Sequence, residues 1–348
     1  MTKLGEQLLR SQGHQKLMTS ARISALVKAI DRRGAGLFVK LFSERAALMI
    51  FQYHGLFASQ EEIRRNLADP QQGITVEHFR HFIEYFLHQG YTFVSIADIL
   101  KGLPPGRKYA LITFDDGYFN NWRALTSLDE YDVPAAFFIS AYHVRDEKAF
   151  WWDVVYRERT ARGVSPASIS GEVEALKMKS PEDIDAYLRF EFGPGCLKPA
   201  GDLDRPFNLR ELSEFARNRH VDLGNHTCNH VILAKCSPAT IAVEVGDAQR
   251  FLCEITGAPP ASIVYPNGDF TSEVIAICKS LGLRLGFSSE PGKNILPIDF
   301  ESEGAMTLRR FGLWGRDDLI HQYEWCRSDL LLHERLVRLR KALTRRLA

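Results

Sequence analysis

Short apolar runs alternating with amphipathic helical stretches restrict the folds open to this chain more than any other feature. Strand-like runs lie near residues 48–53, 92–95, 109–114, 135–139, 220–224, 262–265, 285–289 and 307–312. Tyr109-Ala110-Leu111-Ile112-Thr113-Phe114 is typical: short, apolar and bounded upstream by Pro104, Pro105 and Gly106, it suits a buried strand better than a helix. Helical patterns separate most of these runs. Val76 to Gln89 is one, and Ser237 to Thr256 is another, with Ile241, Val245, Ala248 and Leu252 along one face. Strands alternating with helices predict an α/β fold whose parallel sheet is closed or partly closed into a barrel. Such barrels keep their chemistry at the carboxyl ends of the strands.

Two blocks stand at such positions. Asp115 and Asp116 close the run Tyr109 to Phe114, and His226-Thr227-Cys228-Asn229-His230 follows the apparent strand Val221 to Leu223. Two unpaired aspartates at a strand's end are costly unless a cation or polar ligand meets them, although Asp-Asp-Gly is also ordinary turn chemistry. If Val231 to Leu233 continue a first helical turn, His226 and His230 share one helix face and grip one ion. Two imidazoles and one carboxylate form a common set for a catalytic divalent metal, with positions left for water and substrate. Zinc is the default, and the same donors admit cobalt, nickel, manganese or iron. The alternative is a pair of surface or capping histidines. Cys228, between them, is expected to face the core.

These two blocks, Thr113-Phe114-Asp115-Asp116-Gly117 and His226-Thr227-Cys228-Asn229-His230, together resemble the first two motifs of the polysaccharide deacetylase family. These are the carbohydrate esterases built on the NodB homology domain. The resemblance spans roughly residues 48 to 315 and implies a distorted, incomplete TIM-like (β/α) barrel of about seven to eight strands. It implies that Asp115 is the catalytic base, that Asp116, His226 and His230 hold the metal, and that Thr227 hydrogen-bonds within the loop aiming the second histidine. The Tyr118 backbone N–H would serve the oxyanion.

A third family motif, Arg-x-Pro-x-Gly, is met in part by Val264-Tyr265-Pro266-Asn267-Gly268, which makes Tyr265 and Pro266 substrate-side candidates. Val264 stands where the family has the arginine that supports the base. Either Arg309 or Arg310, in the run Thr307 to Gly312, supplies that cation, or Asp115 titrates higher. The last motif, Leu-x-His, is met only by Leu319-Ile320-His321, within a stretch that reads as an amphipathic helix with His321 on its surface. The general acid is therefore sought in His54, which ends the run beginning near Leu48; a satisfied core histidine is the alternative. Phe150-Trp151-Trp152-Asp153 is similar to a group of these enzymes, with Trp152 read either as core packing of an inserted helix or as a sugar-stacking wall.

The activity implied is removal of an N-acetyl group from an amino sugar in a glycan, a glycolipid or a biosynthetic intermediate, with release of acetate. A divalent ion would acidify the attacking water and polarise the acetyl carbonyl while Asp115 takes the proton. O-acetyl or N-formyl hydrolysis passes through similar tetrahedral states and is the alternative chemistry. A glycan-binding protein with a degenerate site is the alternative from another class.

Composition and charge narrow the remainder. With 348 residues, 45% hydrophobic and 25% charged, the chain can bury one large core or two modest ones and is not disordered. It has no apolar window of about 18 residues to span a membrane, and Met1 to Ser20 lacks the pattern of a secretory signal, which predicts a cytoplasmic protein. Six cysteines without Cys-x-x-Cys spacing are expected to be free thiols.

Three regions are expected: a basic helical extension over 1–45, the barrel over 46–315, and an amphipathic basic helical region over 316–348. A charged helical insertion at about 145–207 is expected to cover one side of the active face and shape substrate choice. Residues 1–45 hold nine Lys/Arg against three Asp/Glu, and 334–348 hold six against one, so both ends are basic. In the second, Leu332, Leu336, Leu339, Leu343 and Leu347 recur at helical spacing. The preferred reading is a helix packed on the barrel with a solvated basic face; the alternative is peripheral contact with an anionic membrane at its inner face. No nucleic-acid motif accompanies the charge, so nucleic acid is not an expected partner. Nothing in the sequence specifies the oligomeric state.

Overall fold

The structure, a computed structural model, describes residues 34–42, 44–315 and 318–329. The chain divides into two units, one of residues 46–316 and one of residues 1–45 with 317–348.

The larger unit is built on eight strands: β1 (Leu48–Tyr53), β2 (Thr92–Phe93), β3 (Tyr109–Phe114), β4 (Ala135–Ile139), β5 (Val221–Asn225), β6 (Ser262–Val264), β7 (Leu285–Phe287) and β8 (Phe311–Gly312). They run in the order β7-β6-β5-β4-β3-β1-β8, with β2 also on β3, and every pairing is parallel. A lone bridge between Phe287 and Leu308 links β7 to the stretch entering β8. The sheet thus curls into an incomplete barrel, as expected, and the Arg310 N–H donates to the Glu290 carbonyl at 3.0 Å across the same seam. The run expected over 307–312 pairs as a strand only at Phe311 and Gly312.

Burial explains why these runs are strands. Every residue of β3 and of β4 is buried, which a parallel sheet allows only when helices cover it. One covering helix, Val76–His88, is started by a capping box between Thr75 and His78, and it buries Phe79, Phe82, Ile83 and Phe86. Phe82 meets Phe51 at 4.7 Å and Phe79 meets Tyr53 at 5.4 Å. Each such ring stabilises the fold by about 1.5–3 kcal/mol relative to exposure. The helix Pro238–Thr256 starts at the Ser237 cap and ends at Gly257, whose φ of 78° is left-handed. It buries Ile241, Val245, Ala248 and Leu252.

The insertion forms three helices, Trp151–Ala161, Pro166–Leu176 and Pro181–Phe192. The second and third begin with Ser-Pro caps at Ser165 and Ser180. Their apolar residues, among them Trp151, Val155, Ile169, Leu176, Ile184 and Leu188, form a cluster of their own. Arg159 of the first helix ties the three together, reaching Glu172 of the second and Glu191 of the third, each at 2.8 Å.

In the smaller unit, residues 34–41 and Leu319–Arg327 are helical. Arg327 pairs with Glu44 at 2.7 Å, and the Arg45 N–H donates to Asp329 at 2.9 Å. His321 is exposed and lies 3.3 Å from Asp318 of its own helix cap. The leucine stripe from Leu332 and the basic residues before position 34 fall outside the described residues. No described helix is long and apolar enough to cross a membrane. All six cysteines are free.

Candidate active site

In-register parallel pairing delivers the site residues to one end of the barrel. Tyr53 of β1 lies opposite Phe114 of β3, so His54 and Asp115 leave their strands at the same level. Neighbouring β4 and β5 place Asn225 opposite Ile139, and His226 follows. A cavity of about 850 Å³ opens there, with His54, Asp115, Asp116, His226 and His230 in its lining.

Asp115 is buried and clamped by Arg310, whose Nη1 and Nη2 donate to its two carboxylate oxygens at 2.7 and 2.8 Å. The buried guanidinium also donates to Thr113 Oγ1 at 3.1 Å and to the Ser288 carbonyl at 3.0 Å. Burial pushes the Asp115 carboxyl up, Arg310 outweighs it, and the group is held below the usual carboxylate value. The strand alternation sends the neighbouring Arg309 outward, where it meets Glu290 at 3.4 Å.

His54 Nε2 lies 3.9 Å from Asp115 Oδ2. Its Nδ1 contacts Gln72 Oε1 at 3.0 Å, and Gln72 Nε2 in turn donates to the Gln52 carbonyl at 2.7 Å. That second bond orients the amide, so Nδ1 carries the proton and Nε2 is the basic nitrogen beside Asp115.

Asp116 Oδ1 lies 3.3 Å from Nε2 of both His226 and His230, and the donor atoms of the three residues are within 4.8 Å of one another. His226 Nδ1 donates to the Val264 carbonyl at 2.8 Å, leaving Nε2 as a bare lone pair aimed at a carboxylate. Asp116 Oδ1 is itself buried without a hydrogen-bonded partner. A lone pair facing a buried anion is repulsive unless a cation sits between them, so these residues fit a divalent metal. Burial opposes charge on both Asp116 and His230, and it holds the His230 imidazole below its ordinary value. An ionised carboxylate and a neutral imidazole are the forms that bind metal.

The histidine pair is not on a helix, contrary to the expectation. Residues 226–232 form a loop, with Thr227 at φ 63° and His230 at φ 56°, while Asp116 has φ 74°. Positive φ is costly for such residues and persists only where surrounding bonds enforce it. Here Glu244 does so, its Oε2 accepting the Cys228 and Asn229 N–H groups at 3.0 and 2.9 Å and its Oε1 the Asn229 amide at 2.8 Å. The Thr227 hydroxyl, expected to bond within this loop, has no partner among the described residues; its N–H donates to Asn225 Oδ1 at 2.8 Å instead. Cys228 is buried, and burial pushes its thiol up to about 12, so it is an inert thiol.

Glu244 and Gln72 were not singled out in the sequence. Glu244 carried a readable signal, because it falls next to Val245 and three residues after Ile241, on the apolar stripe of its helix. In Glu244→Met, two loop N–H groups lose their acceptor. Affinity for a divalent ion, measured by competition with a chelator, is expected to fall about 10- to 100-fold; unchanged affinity would refute this role.

The wall candidates are placed as follows. Trp152 is mostly buried, its ring 4.7 Å from that of His230 and its Nε1 donating to the Tyr118 hydroxyl at 2.8 Å. That hydroxyl donates to Asp153 Oδ2 at 2.8 Å, and Asp153 Oδ1 accepts the Asp69 N–H at 2.8 Å. Burial raises Asp153 well above the usual carboxylate value. The Tyr118 backbone lies in the turn after Asp116, between Gly117, whose N–H bonds Asp115, and Phe119, whose N–H bonds Arg205. Tyr265 contributes to the cavity wall, but its hydroxyl points away and donates to the Met306 carbonyl at 3.0 Å. Pro266 is buried and opens a tight turn in which Gly268 has φ 78°; a Cβ there would meet Ser289 at 2.7 Å.

An α/β barrel with a clamped carboxylate beside an Asp/His/His cluster at its strand ends defines a hydrolase class. The polysaccharide deacetylase family profile matches residues 102–286, more than half of the chain, and the protein belongs to that family. It is a hydrolase acting on carbon–nitrogen bonds other than peptide bonds. His54 and Arg310 lie outside the matched span. No curated protein matches the chain. Among solved structures, the deacetylase PplD of Streptococcus pyogenes, in complex with acetate, is similar at 17% identity and a TM-score of 0.55 over 81% of this chain and 99% of that one. IcaB from Ammonifex degensii matches at 18% identity and 0.53 over 82% and 99%. A de-N-acetylase from Aggregatibacter actinomycetemcomitans matches at 15% identity and 0.53 over 80% and 99%. At these identities the likeness is one of fold.

Proposed function

We propose that this protein removes the N-acetyl group from an amino sugar in a glycan or glycan-biosynthesis intermediate, releasing acetate and a free amine. The observation that carries the reading is the division of labour between the adjacent aspartates: Asp115 faces Arg310, and Asp116 faces the two imidazole Nε2 atoms. Asp116, His226 and His230 would hold a divalent metal, with zinc the default for this donor set. When bound, the ion supplies a polarised acetyl carbonyl and an acidified water.

The chain's own groups do the rest. Asp115, ionised at neutral pH, takes the proton of the attacking water. The leaving amine is too basic to depart as an anion. His54 Nε2, 3.9 Å from Asp115 Oδ2 and left basic by the Nδ1–H bond to Gln72, takes up the proton that Asp115 has removed from the water and passes it to the amine. The Tyr118 N–H, in the turn beyond Asp116, serves the oxyanion. Similarity in fold to a structure described as a de-N-acetylase supports the N-acetyl reading over O-acetyl or N-formyl removal. The free thiols suit a cytoplasmic site of action.

Product analysis tests the reading. Acetate together with a new amine is expected; acetate with a new hydroxyl, or formate, would replace it with one of the alternatives.

A further inference from the structure

His143 is a buried polar side chain that the chemistry above does not use. It lies just past β4 in the short helix Ala141–Arg145, is only 4% exposed, and contributes to the lining of the main cavity. Its Nδ1 contacts the Lys148 carbonyl at 3.1 Å. A carbonyl only accepts, so Nδ1 carries the proton and Nε2 is an acceptor. No protein group meets that Nε2 among the described residues.

The ring is held firmly. It stacks on Phe150 at 4.6 Å and 25°, Phe150 stacks on Trp152 at 5.1 Å and 22°, and Trp152 packs against His230 at 4.7 Å. Lys148, whose carbonyl fixes the tautomer, pairs through Nζ with Asp185 of the third insertion helix at 2.6 Å. Lys148 and Asp185 also line a second hollow of about 470 Å³ that shares them with the main cavity. Burial and the Lys148 charge push the imidazole down to about 3, so it stays neutral and has no proton to give as an acid. An oriented acceptor with no protein partner, on a buried ring in a cavity wall, is a recognition element, because a donor entering the cavity meets it in one fixed direction.

We infer that His143 is a specificity-determining residue, its Nε2 accepting a hydrogen bond from a hydroxyl of the substrate sugar while the Lys148 carbonyl and the Phe150 ring hold it in place. The acceptor has a fixed direction set by the insertion, so the insertion selects sugars through His143 without touching the reacting carbonyl. This role rests on the deacetylase reading above.

The test uses two acetyl donors on the metal-loaded protein: 4-nitrophenyl acetate, which has no sugar, and N-acetylated oligosaccharides such as chitopentaose, followed by acetate release. His143→Phe keeps the stacking ring and deletes the acceptor. It is expected to raise KM for the sugar about tenfold with kcat nearly unchanged, to leave 4-nitrophenyl acetate turnover unaltered, and to be partly rescued in His143→Gln, whose amide oxygen reaches the Nε2 position. An unchanged sugar KM in His143→Phe, or an equal loss on both donors, would overturn the role. If the unsubstituted protein cleaves the ester but releases acetate from no sugar, the deacetylase reading itself fails, and the role of His143 with it.

Discussion

Arg310→Met lowers kcat/KM for acetate release by about 10²- to 10⁴-fold at neutral pH, the usual worth of a positioned general base, and moves the acidic limb of the pH profile upward. The reason is the clamp. Arg310 is the one side chain that donates hydrogen bonds to Asp115 among the described residues. Burial raises the Asp115 carboxyl, and the guanidinium is the largest of the influences that bring it below its usual value. Without the cation, that largest opposing influence is gone and the base is protonated over more of the working range. The sign for stability follows from the same shift. A lowered folded-state value means that the pair stabilises the fold above the ordinary carboxylate range of about 4 and loses that contribution as pH falls through the folded value. In Arg310→Met the dependence reverses, since a stranded buried charge costs about 3–5 kcal/mol near neutrality and less as acid neutralises it. Denaturant titrations at several pH values measure this. Asp115→Asn with Arg310→Met, which strands no charge, regains part of the loss. An acidic limb that stays in place in Arg310→Met would remove Arg310 from this role.

Asp116→Ala gives the second large effect: loss of retained metal together with a fall in turnover of about 10³-fold or more. Asp116 supplies the only carboxylate of the three-residue cluster, and its Oδ1 stands 3.3 Å from both imidazole nitrogens. Alanine leaves two neutral histidines, a weak site for a dication. Asp115→Asn is the contrast. It should lose activity comparably while keeping its metal, because Asp115 faces Arg310 instead of the imidazole pair. Elemental analysis of the dialysed proteins separates the two. Full metal content and full turnover in Asp116→Ala would sink the metal assignment.

The sequence reading was strongest where local rules decide the outcome. β1, β3 and β4 coincide with the runs read at 48–53, 109–114 and 135–139, because continuous burial leaves few alternatives for a short apolar segment. Helix Pro238–Thr256 is equally local, with a Ser-Pro start and a glycine stop. At β8 only two residues pair as a strand, and Phe51 and Gln52 of β1, distant in the chain, hold them where local β propensity does not. The condition under which His226 and His230 share a helix face, a turn continued by Val231 to Leu233, is not met, and the block is a loop. Four-residue spacing is shared by helices and by loops pinned from outside, and the pinning group, Glu244, comes from the following helix.

By itself the sequence determined that two aspartates follow a buried strand and that two histidines follow another. Strand periodicity and parallel pairing bring such residues to one face of a barrel without long-range detail. Only the tertiary structure decided which cation replaces the arginine missing at Val264. Arg310 lies 195 residues from Asp115 in the chain, and adjacent arginines are equivalent on paper. Pairing of Phe311 with Phe51 sets the pleat of that stretch, turning Arg310 inward and Arg309 toward Glu290. Electrostatics of this kind depends on direction and burial, and both arise only when the barrel closes around the charge.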